Sequence, residues 1–446
     1  MKKSLLIFTV LALSSAMLSC TTSEEEEIVD FGEAKMVVNM LSEAQPIRLT
    51  VAQMQFANDN NKFTLNFLNT VNEVDQSGKS FIYSPLSITY VLGMVNDAAV
   101  GETEKELEQT LGFHEGGIQA VNDYCKKLID GLPKVDEDVT LDIANAIFVN
   151  KNYTLKPQFE QDMQTYYDAK AESLDFSSPQ TFEHINGWCK EKTNDMIPTI
   201  LDEVDPSMVS YLLNAIYFKA DWASKFDQKN TKEEDFTTEN GKTNLPLMHQ
   251  NVLIEYANNG IFSTVTMPYG NGMWNMFVML PEEGKTTDDI INQLASDGLP
   301  MSGGYVGPLG DTFQPYYDRL SPHEVDLKLP RFETSSDTDE LDIDNGLIGL
   351  MQKMGINRAF IDGLAEIPNM CEFPVYIDMM RQKAKIKVNE EGSEAAAVTV
   401  AGVNYKASSG PIEYPKATFH ANRPFVYVIQ EASSGVILFV GKFTGQ

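Results

Sequence analysis

A chain of 446 residues with 64 acidic against 34 basic side chains carries a formal net charge of −30. That excess repels nucleic-acid phosphates, and the lack of a dense basic stripe excludes a polyanion cofactor. The length allows one large domain or a few smaller ones, the 43% apolar content supports a folded core, and four cysteines without CxxC-type spacing argue against a disulfide framework or a zinc knuckle.

In chain order, residues 1–19 read as a signal peptide: Lys2 and Lys3 precede an apolar run, Leu5 to Leu13, that is too short to span a bilayer. Ser14, Ser15, Ala16 and Ser19 lead to Cys20 and resemble a bacterial lipoprotein processing site, with Cys20 as the lipidated residue. The alternative is an ordinary secretory signal with an incidental cysteine. Residues 20–50, with the Glu24 to Glu27 run, read as an acidic tether that does not fold alone. The acidic cluster behind Cys20 also resembles the surface-export signal of some Gram-negative lipoproteins, so the expected location is the outer membrane or cell surface, facing outward.

From about residue 51 the chain runs to 446 without a linker or repeat, and without the βαβ beat of a doubly wound sheet. Phe63, Phe67 and Leu68 share a helical face, and Thr103 to Leu111 reads as a solvent-facing helix stopped by Gly112. Leu141, Ile143, Phe148 and Val149 suit a buried strand, as do Val325, Leu327 and Leu329. The Gly/Pro/Tyr-rich stretch 297–319 reads as a loop insertion. Phe425 to Gln430 and Val436 to Val440, joined by Glu431 to Gly435, predict a β-hairpin buried on both faces.

The most informative segment begins at Gln382. Ala384, Ile386 and Val388 alternate with lysines, the period-2 pattern of a strand with one buried face. After Glu390-Glu391-Gly392, the alternate residues Ser393, Ala395, Ala397, Thr399, Ala401 and Val403 are small and uncharged, while Glu394 falls on the other face. With no proline before Pro411, this run is fit to enter a sheet as a central strand. It then meets the polar, Gly/Pro-punctuated stretch Asn404 to Lys416, which reads as exposed loop. A segment built as a strand but held as a loop implies stored free energy.

Asn389 to Ala397 (Asn-Glu-Glu-Gly-Ser-Glu-Ala-Ala-Ala) resembles the hinge of inhibitory serpins, and Phe419 to Phe425 resembles the motif that follows their reactive loop. Similar blocks occur at Tyr83 to Ile88, Asn214 to Lys219 with Trp222, Leu245 to His249, and Gly441-Lys442. The resemblance covers roughly residues 51–446, leaving out the insertion. It implies an α+β fold of three β-sheets, about nine helices and an exposed reactive loop at about 390–418.

The resemblance further implies a suicide inhibitor of serine or cysteine proteases, acting as a monomer and without a cofactor. A target protease forms an acyl-enzyme at the reactive bond; the run from Ser393 then inserts into the central sheet and drags the protease into a distorted state. The family's spacing from Glu390 places that bond at Lys406–Ala407, with Tyr405 as second choice. Lysine suits a trypsin-like pocket and Tyr405 a chymotrypsin-like one. Hinge residues carry over as Glu390, Gly392, Ser393, Glu394, Ala395, Ala396 and Ala397. Ser84, Ser87 and Asn214 match a polar cluster beneath the central sheet. The histidine usual there is replaced by Gln382, whose amide both donates and accepts. Glu390 and Arg331 match an ion pair where the loop enters.

A non-inhibitory relative (carrier, chaperone or storage protein) and a broad-specificity inhibitor are the other readings. An enzyme is disfavoured: the five histidines sit in unrelated contexts, and GxSxG, HExxH and phosphate-loop motifs are absent. No metal site is expected. Trp188, Trp222 and Trp274 read as core residues.

Overall fold

The computed structural model describes residues 27–31, 34–38, 42–113, 116–298, 320–393 and 413–446. Cys20, Glu394, Ala395, Ala396, Ala397, Tyr405, Lys406, Ala407, the segment 1–19 and residues 299–319 of the insertion lie outside the described residues.

Eight α-helices occur among the described residues, against about nine expected. They are α1 (Val51–Val74), α2 (Pro85–Ala98), α3 (Gly101–Leu111), α4 (Gly117–Gly131), α5 (Pro157–Tyr167), α6 (Pro179–Lys192), α7 (Thr287–Asp297) and α8 (Gly346–Met354). The first strands are β1 (Glu27–Phe31), β2 (Ala34–Val38), β3 (Phe81–Tyr83), β4 (Thr140–Asn150), β5 (Lys170–Leu174), β6 (Ser210–Asp221), β7 (Lys232–Thr238) and β8 (Gly241–Asn258). There follow β9 (Phe262–Tyr269), β10 (Trp274–Pro281), β11 (Ser321–Pro330), β12 (Phe332–Asp337), β13 (Lys383–Val388) and β14 (Gly392–Ser393). The last three are β15 (Lys416–His420), β16 (Phe425–Glu431) and β17 (Ile437–Phe443).

The strands make three sheets. β1 and β2 pair alone; a nine-stranded sheet runs β15-β11-β8-β9-β10-β16-β17-β3 with β7 beside β8; a six-stranded sheet runs β12-β13-β14-β6-β4-β5. The fold is therefore α+β with three sheets. Within the stretch 20–50, β1 and β2 form a hairpin in which Glu27 pairs with Val38 and Phe31 with Ala34. The register sets Ile28 opposite Val37, two residues that favour strands.

Local chemistry accounts for the elements that matter. In α3, Thr103, Leu107 and Leu111 are buried while Glu102 and Glu104 occupy the favourable first turn. Gly112 ends the helix at φ +86°, and a Cβ there would lie 2.6 Å from the backbone carbonyl carbon of Asp59. The C-terminal hairpin is buried along all seven residues of both β16 and β17. Its turn is organised by the buried Glu431 carboxylate, which accepts hydrogen bonds from the backbone N–H and hydroxyl of both Ser433 and Ser434. Val325, Leu327 and Leu329 are fully buried in β11. Cys125, Cys189 and Cys371 are buried free thiols, and burial pushes those of Cys125 and Cys189 up to about 12. Trp222 and Trp274 are core residues, and Trp188 packs edge-on against Phe148 in a second, smaller core.

Candidate functional site

The site is a slot in the six-stranded sheet. β6 pairs with β4 along one edge, from Lys219 opposite Thr140 to Ser210 opposite Val149. β13 pairs with β12 along its outer edge. Between them lies only β14: Ser393 pairs with Val388 on one side and Ala220 on the other, and Gly392 pairs with Asp221. Below that point no ladder joins β6 to β13 among the described residues. A cavity of about 280 Å³ opens there, with Ser84, Ser87, Asn214 and Gln382 in its lining.

The head of the slot is tightly built. Gly392 is required by close approach: a Cβ there would lie 2.1 Å from the Ala220 carbonyl oxygen and 2.6 Å from the Asp221 Cα. The Ser393 hydroxyl, 1% exposed, is 2.7 Å from the hydroxyl of buried Tyr269. Tyr269 in turn stacks on Trp222 at 4.4 Å between ring centroids. Trp222 holds the turn before the hinge twice, its indole N–H donating to the Asn389 carbonyl (2.8 Å) and its backbone N–H to that of Glu391 (2.7 Å).

The structure brings Glu390 and Arg331 together as the sequence suggested. Arg331 donates to both carboxylate oxygens of Glu390, Nε at 3.1 Å and Nη2 at 2.5 Å, and the Thr231 hydroxyl donates at 2.6 Å. Burial pushes the Glu390 carboxyl up, but these bonds outweigh it and hold the group below the usual carboxylate range.

Beneath the slot, Gln382 shares the inward face with Ala384 and Ile386, all three buried. Its amide both donates and accepts: Nε2 donates to the Ser84 carbonyl at 2.7 Å, and Oε1 accepts from the Ser84 N–H at 3.0 Å. The Ser84 hydroxyl donates to the Leu438 carbonyl at 2.7 Å. Ser87 donates to the side-chain oxygen of Asn214, and Asn214 donates to Asn145 at 2.8 Å. Ser84, Ser87, Asn214 and Gln382 thus tie the α2 start, β6 and β13 together under the gap.

Sequence reasoning missed Tyr269, Thr231 and Asn145. Each is a lone polar residue in an ordinary strand or turn, and only strand register brings it to the hinge or the cluster. Four of the five histidines are described. His249 and His420 both contact Asp326, His184 contacts Glu172, and His323 contacts the Ser321 carbonyl. Among the described residues no group of histidine, cysteine and carboxylate side chains is arranged to hold a metal.

Comparison with known proteins points to one family. The family model described as "Serpin (serine protease inhibitor)" covers residues 58–445. Serpin B6 of Pongo abelii is 28% identical over 401 residues, spanning 87% of this chain and 98% of its own. Glia-derived nexin of Rattus norvegicus is 28% identical over 373 residues, 82% of this chain and 88% of its own. Among solved structures, the native state of the thermophilic serpin tengpin superposes with TM-score 0.73 at 25% identity, covering 91% and 97% of the two chains. Thyroxine-binding globulin bound to thyroxine does so with TM-score 0.71 at 25% identity, covering 88% and 98%. The chain belongs to the serpin family.

Proposed function

We propose that this serpin is an irreversible inhibitor of trypsin-like serine proteases, trapping the acyl-enzyme by inserting its cleaved loop into the six-stranded sheet. One observation carries the reading: β14 already starts a strand at the head of a slot lined by two strand edges. In the proposed inserted state, continuing the register of Ser393, opposite Val388 and Ala220, would set Ala395 between Phe218 and Ile386, Ala397 between Ile216 and Ala384, and Thr399 between Asn214 and Gln382. In that state a row of small side chains would face the core, and Thr399 would meet a polar cluster able to bond its hydroxyl. Each inserted residue also gives ladder partners to backbone groups on both edges, at roughly 1 kcal/mol net per hydrogen bond. That gain is the driving force for moving the protease.

Lys406–Ala407 is the proposed reactive bond, with Tyr405–Lys406 as a second bond open to chymotrypsin-like enzymes. Cys20 is the proposed lipid anchor after removal of residues 1–19, placing a monomeric inhibitor at the cell surface. A carrier role, which thyroxine-binding globulin illustrates for its own ligand, is disfavoured by the small residues at Ala395 to Ala397.

The test is incubation with trypsin, followed by a denaturing gel and mass spectrometry of the released peptide. A boiling-resistant complex and a fragment starting at Ala407 are expected. Ala397→Asp should abolish the complex while leaving cleavage, because a carboxylate cannot enter the slot unpaired. Clean cleavage of the unmodified chain with full trypsin activity refutes the trapping mechanism for that enzyme.

A further inference from the structure

Part of the main core faces a cavity instead of other side chains. Val91 on α2, Leu212 and Ile216 on β6, and Val375 and Ile377 all pack against that core yet stay only partly buried. All five line the cavity of about 280 Å³ beneath the slot. On β6 the faces alternate: Leu212 and Ile216 join the main core on the α2 side, while Tyr211 and Leu213 join the second core. The opposite wall is the stretch 374–382, which forms no strand. Its backbone is pinned from behind. The Ile377 N–H donates to the Ala359 carbonyl (2.8 Å), the Gln382 N–H to the Thr338 hydroxyl (2.9 Å), and the Thr338 N–H to the Gln382 carbonyl (3.0 Å). The two walls are therefore held apart, and the chamber between them is preformed.

We infer that this inner chamber is a binding site for an uncharged, largely apolar small molecule carrying one hydroxyl or carbonyl group. Covering the apolar side chains that face the cavity supplies the affinity, and an apolar cavity of about 150 Å³ already takes up benzene. The polar end is Ser87 with Asn214. The Ser87 hydroxyl gives its proton to the Asn214 side-chain oxygen and keeps lone pairs of its own. Asn214 spends one Nδ2 proton on Asn145 (2.8 Å) and keeps a second. One ligand oxygen can thus accept from Asn214 or donate to Ser87. The lining also selects against charge. The charged residues along the cavity are Asp378, Arg381, Lys383 and Lys385. Asp378 is exposed, and Arg381 is held by Asp337 on β12 and by Asp202 in the connection from α6 to β6. Lys383 and Lys385 alternate with the inward Ala384 and Ile386. Among the described lining residues, none is left to neutralise an ionised ligand in the chamber. The site does not rest on the protease-trapping reading, and either can fail without the other.

The test is calorimetric titration of the full chain with thymol, beside p-cymene, which lacks the hydroxyl, and cuminate, which carries a carboxylate instead. Saturable one-to-one binding of thymol is expected. The p-cymene should bind about fivefold more weakly, the worth of one hydrogen bond, and cuminate at neutral pH at least about tenfold more weakly. Ser87→Ala should erase the preference for thymol over p-cymene while leaving p-cymene bound. Val91→Phe and, independently, Ile377→Phe put a ring into the chamber and should abolish binding, with the fold checked by circular dichroism. Val51→Ser, which removes an exposed apolar side chain at the start of α1, should change nothing. In crystals grown with bromothymol, the bromine should lie between Val91 and Ile377. Binding that survives either filled chamber, equal affinity for all three probes, no saturation by any of them, or a bromine found elsewhere overturns the site.

Discussion

The Ser393–Tyr269 hydrogen bond offers a measurable handle on how firmly the hinge is docked. Both hydroxyls are buried and 2.7 Å apart. Tyr269→Phe deletes one oxygen, keeps the stack on Trp222, and leaves the Ser393 hydroxyl without its partner in an apolar setting. Such an orphaned group costs about 1–3 kcal/mol. Ser393→Ala orphans Tyr269 at a similar cost. The double variant removes both partners, so its cost should fall well short of the sum, with a coupling of about 1–2 kcal/mol. The assay is native-state hydrogen exchange at two amides that bond only when the hinge is docked: Trp222 N–H to the Glu391 carbonyl and Asn389 N–H to the Gly392 carbonyl. At a factor of ten per 1.4 kcal/mol, each single variant should speed their exchange by about 5- to 150-fold. Additive effects in the double variant, or no change in either single one, would show that this bond does not hold β14 in the sheet.

Three further outcomes are expected. Gly392→Ala should undock β14 altogether, since its Cβ would overlap the Ala220 carbonyl, and protection at the Trp222 amide should vanish. Glu390, held below its ordinary value of 4.5 by bonds that outweigh its burial, stabilises the hinge fully above pH 4.5. That contribution fades as the pH falls through the lower folded value, so hinge protection should drop in acid, and Glu390→Gln should flatten this part of the profile. Asp97 runs the other way. Burial raises it to about 6 from 3.8, despite the bond donated by Asn122. Its ionisation therefore costs stability as the pH rises from 3.8 to 6, and Asp97→Asn should raise the unfolding midpoint at about pH 8 but not at about pH 3.5.

Much of this was legible in the residue pattern. The Ala384-Ile386-Val388 alternation is borne out residue by residue in the burial of β13. The apolar runs of the C-terminal hairpin reported two buried faces, and Gly112 marked a helix end. Strand alternation also placed Gln382 inward, and its two-sided amide does what a neutral imidazole would. Other features resisted because they depend on register between distant strands. Nothing near Tyr269 announces that it meets Ser393, 124 residues away. Asp202 reads as an unremarkable loop carboxylate until the α6 connection is seen to lie across from Arg381, 179 residues on.

The C-terminal hairpin has a bearing on how the chain comes to be folded at all. β16 and β17 lie inside the nine-stranded sheet, between β10 and β3, and the Leu438 carbonyl takes its bond from Ser84, 354 positions earlier. A ribosome delivers this hairpin after everything it must pack against, so the first strand waits for the last before the sheet closes. Contacts of such separation carry a large loop-closure entropy and make folding slow. The nine-stranded sheet is therefore completed by the part of the chain that is made last.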